Sequence, residues 1–332
     1  MREVTLIVTD LYLGDGPAAR TDTSVPRLAG FETLLGRGVV REHGEWREWS
    51  CRRVALPVAG RIPVAPIARL THARDRSAAQ YWLAQCIHLE ARVDRVYASV
   101  SPPPPFTPDE WREIEQGFNQ SFGATGQSLV GGSGDQACLA STAVMDADTT
   151  DPVRVRGSDI HAGLPSGPGA DGLKRLMTEI QMWLHDHPVN MRREERGVDT
   201  VNALWIWGGG RLPERGAAVA LPALFGADAF LSGLWQLKGG APLPLPVSLD
   251  AIDLATNPLV VVALESTPGS SQTSAQALVA LERDWFAPAI AALRRGQLAR
   301  VQLHANDRLH SLGRSGLWRL WRQRRPWFEA LT

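Results

Sequence analysis

The stretch Asp159–Pro213, DIHAGLPSGPGADGLKRLMTEIQMWLHDHPVNMRREERGVDTVNALWIWGGGRLP, decides how this chain is read. An amphipathic run over Gly172–His185 leads to His187, Pro188, Val189 and Asn190, then to a basic turn. An apolar segment Ala203–Trp207 follows and empties into Gly208, Gly209 and Gly210. Apolar residues at helical spacing predict a helix for the first part, and a short apolar run closed by glycine predicts a buried strand for the second. A strand that ends in a glycine-rich turn is where α/β proteins place ligands.

Outside that stretch, strand-like runs occur at Val4–Thr9, Val96–Val100, Leu259–Leu264 and Ala299–His304. Between several of them lie helix-period segments, Thr107–Phe122 and Ala275–Leu293. Thr107 opens its segment with Pro108, Asp109 and Glu110 in the first turn, which suits a helix start. The alternation predicts an α/β fold with a mixed, mostly parallel sheet and helices on both faces. Ser101–Pro105 reads as a polyproline spacer, and Gly123–Gly134 and Pro242–Pro246 read as loops. The expected organisation is one domain over 1–332, with an inserted subdomain at about 56–157.

The 332 residues carry 35 Lys plus Arg and 35 Asp plus Glu, so the formal net charge is zero. A neutral chain has no long-range field for nucleic acid or an anionic membrane, and neither is expected as a partner unless a local patch provides it. Cys51, Cys86 and Cys138 are odd in number and widely spaced, which fits neither a disulfide framework nor a zinc pattern. They read as reduced thiols in a cytoplasmic protein. The N-terminal MREVTLIVTDLYLGDG reads as a first core strand ending at Asp10 rather than as a signal peptide. No segment approaches the ~20 apolar residues of a membrane span.

The region Asp159–Gly240 resembles the archaeal-type, cofactor-independent phosphoglycerate mutases. The resemblance rests on Asp159, Ile160, Leu164, Pro165, Gly167, His187, Pro188, Asn190, Arg193, Gly197, Asn202, Trp205, Trp207, Gly208 and Gly210, in that order, and continues through Phe225, Gly226 and Gly233. Within that set the whole chain is most similar to the bacterial RpfE-type regulatory proteins, on segments such as LERDWFAPAIAALRRGQL and WRLWRQRRPW. The resemblance implies an alkaline phosphatase-like three-layer sandwich. It also implies, for an active member, two divalent metals (Mn, Zn or Mg) held by Asp and His around a Ser or Thr nucleophile.

The residues supply few of those parts. Asp10 stands where the family has a metal-binding Asp-Gly pair, but Leu11 and Tyr12 follow it. Where a Gly-Ser-Asp turn should bring the nucleophile, the chain from Val58 has no Ser, Thr or Asp before Thr71. After Leu264 the sequence runs Glu265, Ser266, Thr267, Pro268, Gly269, Ser270, without the Asp and His of the family's acidic turn. His304 follows Leu303 instead of Asp, and His310 precedes Ser311, with Asp307 between them. Asp10, His304 and His310 are therefore the remnant metal candidates, and a working pair of cations would need roughly twice as many ligands. No cofactor is expected.

Two roles fit His187, Asn190, Arg193 and Asn202. In one they line a pocket beside Gly208, Gly209 and Gly210, where Arg193 would take a small phosphorylated or carboxylate ligand. In the other they cap helix and strand ends. The expected function is a phosphoglycerate mutase-like regulatory protein, with an unidentified protein partner, in which phosphoryl transfer is lost. The alternative is an active metal-dependent phosphomutase or phosphohydrolase with a rearranged site.

A third reading starts from Arg314, Arg319, Arg322, Arg324 and Arg325, interleaved with Trp318, Trp321 and Trp327. That composition suits single-stranded nucleic acid or a membrane surface. It equally suits a terminal helix whose Leu317, Trp318, Leu320 and Trp321 cover the domain while the arginines stay wet.

Overall fold

The computed structural model describes residues 2–11, 26–58, 60–71, 80–265, 274–319, 321–322 and 325–331. The chain divides into two compact units, one formed by Met1–Pro57 with Arg215–Thr332 and the other by Val58–Glu214. In chain order the first unit opens with β1 (Glu3–Val8), α1 (Ala29–Arg37), β2 (Val39–His43) and α2 (Trp46–Arg53). The second comprises α3 (Val64–Ala68), β3 (Gln80–Ile87), β4 (Leu89–Ala91), β5 (Val96–Ala98), α4 (Pro108–Phe122), β6 (Gln127–Ser133), β7 (Gln136–Ser141), α5 (Ala170–His185), α6 (Pro188–Glu195) and β8 (Ala203–Gly210). The first unit resumes with β9 (Ala223–Phe225), α7 (Ala229–Leu237), β10 (Leu259–Leu264), α8 (Ser274–Leu281), α9 (Ala287–Arg295), β11 (Arg300–Ala305), β12 (Arg308–Gly313) and α10 (Trp327–Leu331).

In the first unit the sheet order is β2-β12-β11-β1-β10-β9. Strands β11, β1, β10 and β9 run parallel, and β12 pairs antiparallel with both β11 and the edge strand β2. This is the mixed, mostly parallel α/β sheet that the alternation predicts. Strand residues alternate between faces. Val4, Leu6 and Val8 of β1, Val260, Val262 and Leu264 of β10, and Val301 and Leu303 of β11 bury one face against Phe31 and Leu34 of α1 and Ile290 and Leu293 of α9. The other face meets α2, whose Trp46 indole donates to the Thr9 carbonyl at 3.2 Å.

The single helix expected over Ala275–Leu293 is instead α8 and α9 joined by a π-type turn over Glu282–Phe286. That turn seats Phe286 on Phe31 with ring centroids 4.6 Å apart. It also aims Glu282 at the start of α1, where its carboxylate accepts from the Gly30 and Phe31 amides at 2.6 and 3.0 Å. Leu28 at the N-cap offers no side-chain acceptor, so the unsatisfied amides of the helix start are met from elsewhere in the unit.

The second unit is built on an antiparallel sheet, β6-β7-β3-β8. Ile114 and Phe118 of α4 and Leu173, Ile180 and Leu184 of α5 bury against Trp82, Ala84, Leu204 and Ile206. Three expectations are corrected here. Gly123–Gly134 is not a loop: Gln127–Ser133 is β6, and its glycines sit where the pairing register with β7 slips between Val130 and Ser133, a bulge that glycine tolerates. The strand expected to end at Trp207 continues through Gly210. That strand pairs antiparallel with β3, so it does not end at the ligand-binding edge of a parallel sheet.

Cys51, Cys86 and Cys138 are buried free thiols, and burial pushes the Cys51 thiol up to about 12 and that of Cys138 to about 11, which makes them inert. No helix among the described residues is long and apolar enough to cross a membrane.

Candidate functional site

The HPVN segment folds as the junction between α5, α6 and β8. His187 is the N-cap of α6, with Pro188 in the first turn, where a missing amide costs nothing. Its ring accepts from the Val189 amide at 3.2 Å and lies 4.6 Å from the Trp183 ring; burial lowers its pKa. Asn190 is buried, and its side-chain amide donates to the carbonyls of Leu184 and Val201, both at 2.8 Å. Its oxygen accepts from the Val201 amide at 3.1 Å. One side chain thus satisfies the last turn of α5 and the entry to β8. Asn202 does the same for β4: it accepts from the Leu89 amide at 2.7 Å and donates to the Leu89 carbonyl at 2.8 Å, the two bonds a neighbouring strand would make.

Arg193 is 2% exposed. One terminal nitrogen donates to Pro104 and Asp199 carbonyls at 2.9 and 3.1 Å, and the other to Pro104 and Pro105 carbonyls at 3.0 and 2.8 Å. Its Nε and second terminal nitrogen also reach the Glu110 carboxylate, both at 3.3 Å, and the guanidinium lies 4.7 Å from the Phe106 ring centroid. Every nitrogen of this fork is committed to the protein. Glu110 closes a capping box with Thr107 at the start of α4. Burial alone would raise its pKa, but the Thr107 amide, Arg193 and Arg196 together hold it below the ordinary value.

Gly208, Gly209 and Gly210 make room for neighbouring atoms rather than for a ligand. Gly208 has φ of 64°, its amide donates to the Thr149 hydroxyl at 3.0 Å, and an added Cβ would sit 2.8 Å from that of Val64 in α3. At Gly209 a Cβ would enter the Trp82 ring, and at Gly210 it would lie 2.7 Å from Pro63. The run is glycine because α3 and Trp82 press on it. Thr71, first hydroxyl of the segment where a nucleophile is sought, donates to the Ala68 carbonyl at 2.8 Å.

Asp10, His304 and His310 belong to the first unit. Asp10 follows β1. Ile7 of β1 pairs with His304, whose ring lies 5.5 Å from that of Trp49 in α2. The β11–β12 hairpin pairs His304 with Leu309 and Leu303 with His310. Directly paired residues share a face and alternate residues do not, so His304 and His310 point to opposite faces of the sheet. His310 accordingly stands beside the end of α1, where a Cβ on Gly38 would come within 3.5 Å of the His310 Cβ. The two histidines are 2% and 4% exposed, and none of their four ring nitrogens has a hydrogen-bond partner among the described residues. Burial, the largest influence on each, holds both pKa values down at about 4.

These donors do not fit a two-cation centre. One sheet separates the two imidazoles, and among the described residues no group of three or more His, Cys, Asp or Glu is arranged to hold a metal. Ser266, Thr267, Pro268, Gly269 and Ser270 lie outside the described residues, as do Tyr12, Leu320 and Arg324. One signal in the sequence would have separated the histidines: Asn306-Asp307, with φ of 47° and 56°, is a two-residue hairpin turn. Such a turn pairs Ala305 with Arg308 and so fixes the faces of every residue behind it. Lys238, by contrast, carries no signal in the sequence. It is buried, its ammonium donates to the Ala55, Arg215 and Ala217 carbonyls at 3.3, 2.8 and 2.5 Å, and burial lowers its pKa.

No family model matches the chain. It is similar to the 2,3-bisphosphoglycerate-independent phosphoglycerate mutase of Methanothrix thermoacetophila, 32% identical over 125 residues, which is 36% of this chain and 32% of that protein. It is 30% identical over 109 residues to that of Methanosarcina mazei, 33% of this chain and 26% of the relative. A probable mutase of the same name from Geobacter sulfurreducens is 40% identical over 62 residues, 19% and 16% of the two chains. The chain is distantly homologous to cofactor-independent phosphoglycerate mutases. The homology spans a third or less of the curated relatives' length.

Two solved structures are also similar. The cofactor-independent phosphoglycerate mutase from Thermoplasma acidophilum has a TM-score of 0.38 at 15% identity, over 94% of this chain and 90% of that one. The PH0037 protein from Pyrococcus horikoshii has a TM-score of 0.45 at 15% identity, over 94% and 87%. Nothing about the site rests on either.

Proposed function

We propose that this protein is a phosphoglycerate mutase-like regulatory protein of the RpfE type, with an alkaline phosphatase-like architecture from which phosphoryl transfer has been lost. The observation that carries the proposal is the hairpin register that sends His304 and His310 to opposite faces of the sheet. Phosphoryl transfer in this superfamily needs charge neutralised at one point by convergent ligands, and two imidazoles on either side of a sheet cannot converge. On this reading the HPVN and WGGG segments are inherited scaffold. With no catalytic step to perform, the chain acts through a protein partner.

Metal content and activity of the purified full-length chain test this together. After incubation with Mn or Zn and removal of the excess, the expected result is substoichiometric metal, no interconversion of 3- and 2-phosphoglycerate, and no phosphomonoester hydrolysis. Stoichiometric metal with hydrolysis that Asp10→Ala abolishes would establish the active, rearranged site instead.

A further inference from the structure

The C-terminal arginine and tryptophan stretch does not fold as a helix laid over the domain. Arg314–Trp318 forms a short 3-10 turn, a second turn follows at Trp321 and Arg322, and α10 begins only at Trp327. Two of the apolar side chains do cover the core: Leu317 packs against it, and Trp327 is buried with its indole donating to the Pro26 carbonyl at 3.2 Å. Trp318 and Trp321 do not. Trp318 is 75% exposed and Trp321 77%, so two large aromatic surfaces near each other in sequence face solvent, where a folded chain gains nothing from them.

The backbone that carries these rings is tied down. Arg319 donates to the Arg37 carbonyl at 3.3 Å and Arg322 to the Gly38 carbonyl at 2.9 Å, while Arg37 donates back to the Leu317 carbonyl at 2.8 Å. Cations at the end of α1 suit its dipole, and they hold the indoles at a fixed place on the surface. The segment itself is of one sign. Between Asp307 and Glu329 the sequence has six arginines and no acidic residue. Among the described residues, Arg314, Arg319, Arg322 and Arg325 make no ion pair. A chain of zero net charge therefore concentrates cations around two exposed indoles.

We propose that this patch binds single-stranded nucleic acid, with bases stacking on Trp318 and Trp321 and phosphates taken by Arg314, Arg319, Arg322 and Arg325. Stacking on aromatic rings beside arginine is the chemistry by which proteins hold single strands without reading sequence. An anionic bilayer is the weaker match. Interfacial binding uses a helix with a continuous apolar face, whereas among the described residues between Arg314 and Arg325 there is no α-helix and Leu317 faces inward.

Fluorescence anisotropy of a labelled single-stranded poly(dT) oligonucleotide, titrated with the full chain at about 50 mM salt, tests the proposal. Saturable binding is expected. Trp318→Ala and Trp321→Ala should each weaken it by roughly 5-fold or more, with unchanged circular dichroism because both rings are exposed. Arg322→Gln should lower the slope of log affinity against log salt by about 0.7, one phosphate contact on a single strand. Three results would overturn the proposal: no saturable binding, binding that survives loss of both indoles, or binding to phosphatidylserine vesicles but not to the oligonucleotide.

Discussion

The two sets of buried polar side chains in this protein are opposites. In the second unit, Arg193 and Asn190 spend their hydrogen-bonding capacity on backbone groups and on Glu110, as the half-buried Asn202 does on Leu89. In the first, His304 and His310 are as deeply buried and have no hydrogen-bond partner among the described residues. The Arg193 set lies in the stretch that resembles the phosphoglycerate mutases, and the histidine set comprises remnant metal candidates. The satisfied set has a structural role that calls for no chemistry: each residue closes a helix end, a strand end or the turn at Pro104 and Pro105, and losing it would leave polar groups unpaired. The unsatisfied set has no such role. Its imidazoles stay neutral because burial disfavours their charge, and the fold would lose nothing if they were apolar.

Substitutions can sharpen or break that contrast. The largest effect is expected for Arg193→Met, which takes one of two arginines from the buried Glu110 carboxylate and leaves the Pro104, Pro105 and Asp199 carbonyls without their donor. Chemical denaturation should show a loss of about 3–5 kcal/mol, as for one partner removed from a buried ion pair. A loss under ~1 kcal/mol would mean the motif is not scaffold.

Next comes acid sensitivity. Each histidine has a folded pKa of about 4 against ~6.5 unfolded. Between those values the unfolded state binds more protons, so stability is full above about pH 6.5 and falls as pH drops toward 4, by roughly 3 kcal/mol for each histidine. His310→Leu should remove its share of that slope and leave neutral-pH stability equal or higher. Urea midpoints measured along a pH series decide it, and a slope unchanged in the variant would show that His310 is not the group that titrates.

Gly209→Ala should cost about 1–3 kcal/mol through overpacking against Trp82, and a thermal melt reads it. If the variant is as stable as the parent, the run has the free space that a ligand pocket needs. The smallest effect, about 1 kcal/mol, is expected for Asn202→Ala, whose two bonds to Leu89 lie at a partly exposed edge.

Where the side-chain pattern alone sets the structure, the sequence was legible. Strand Leu259–Leu264 matches its expected bounds, and α4 begins after Thr107 because the capping residues announce it. The glycines were misleading. In β6 and β8 they occupy strands, and the cause is tertiary: a register slip in one case and the approach of Trp82 and Val64 in the other, neither encoded near the glycine itself. The interruption of α8–α9 by a π-type turn was also invisible, since it answers the unsatisfied amides of α1 some 250 positions away. For the candidate site, the family resemblance singled out the histidines, but it is the parity of the Asn306-Asp307 turn that assigns them to different faces.

That assignment can be observed directly. In ¹H–¹⁵N spectra of the imidazoles, titrated first with acid and then at neutral pH with Zn, His304 and His310 should each titrate near pH 4. Neither should shift when one equivalent of Zn is added. Joint, saturable shifts of both rings at one equivalent would place them on a common ion and contradict the account.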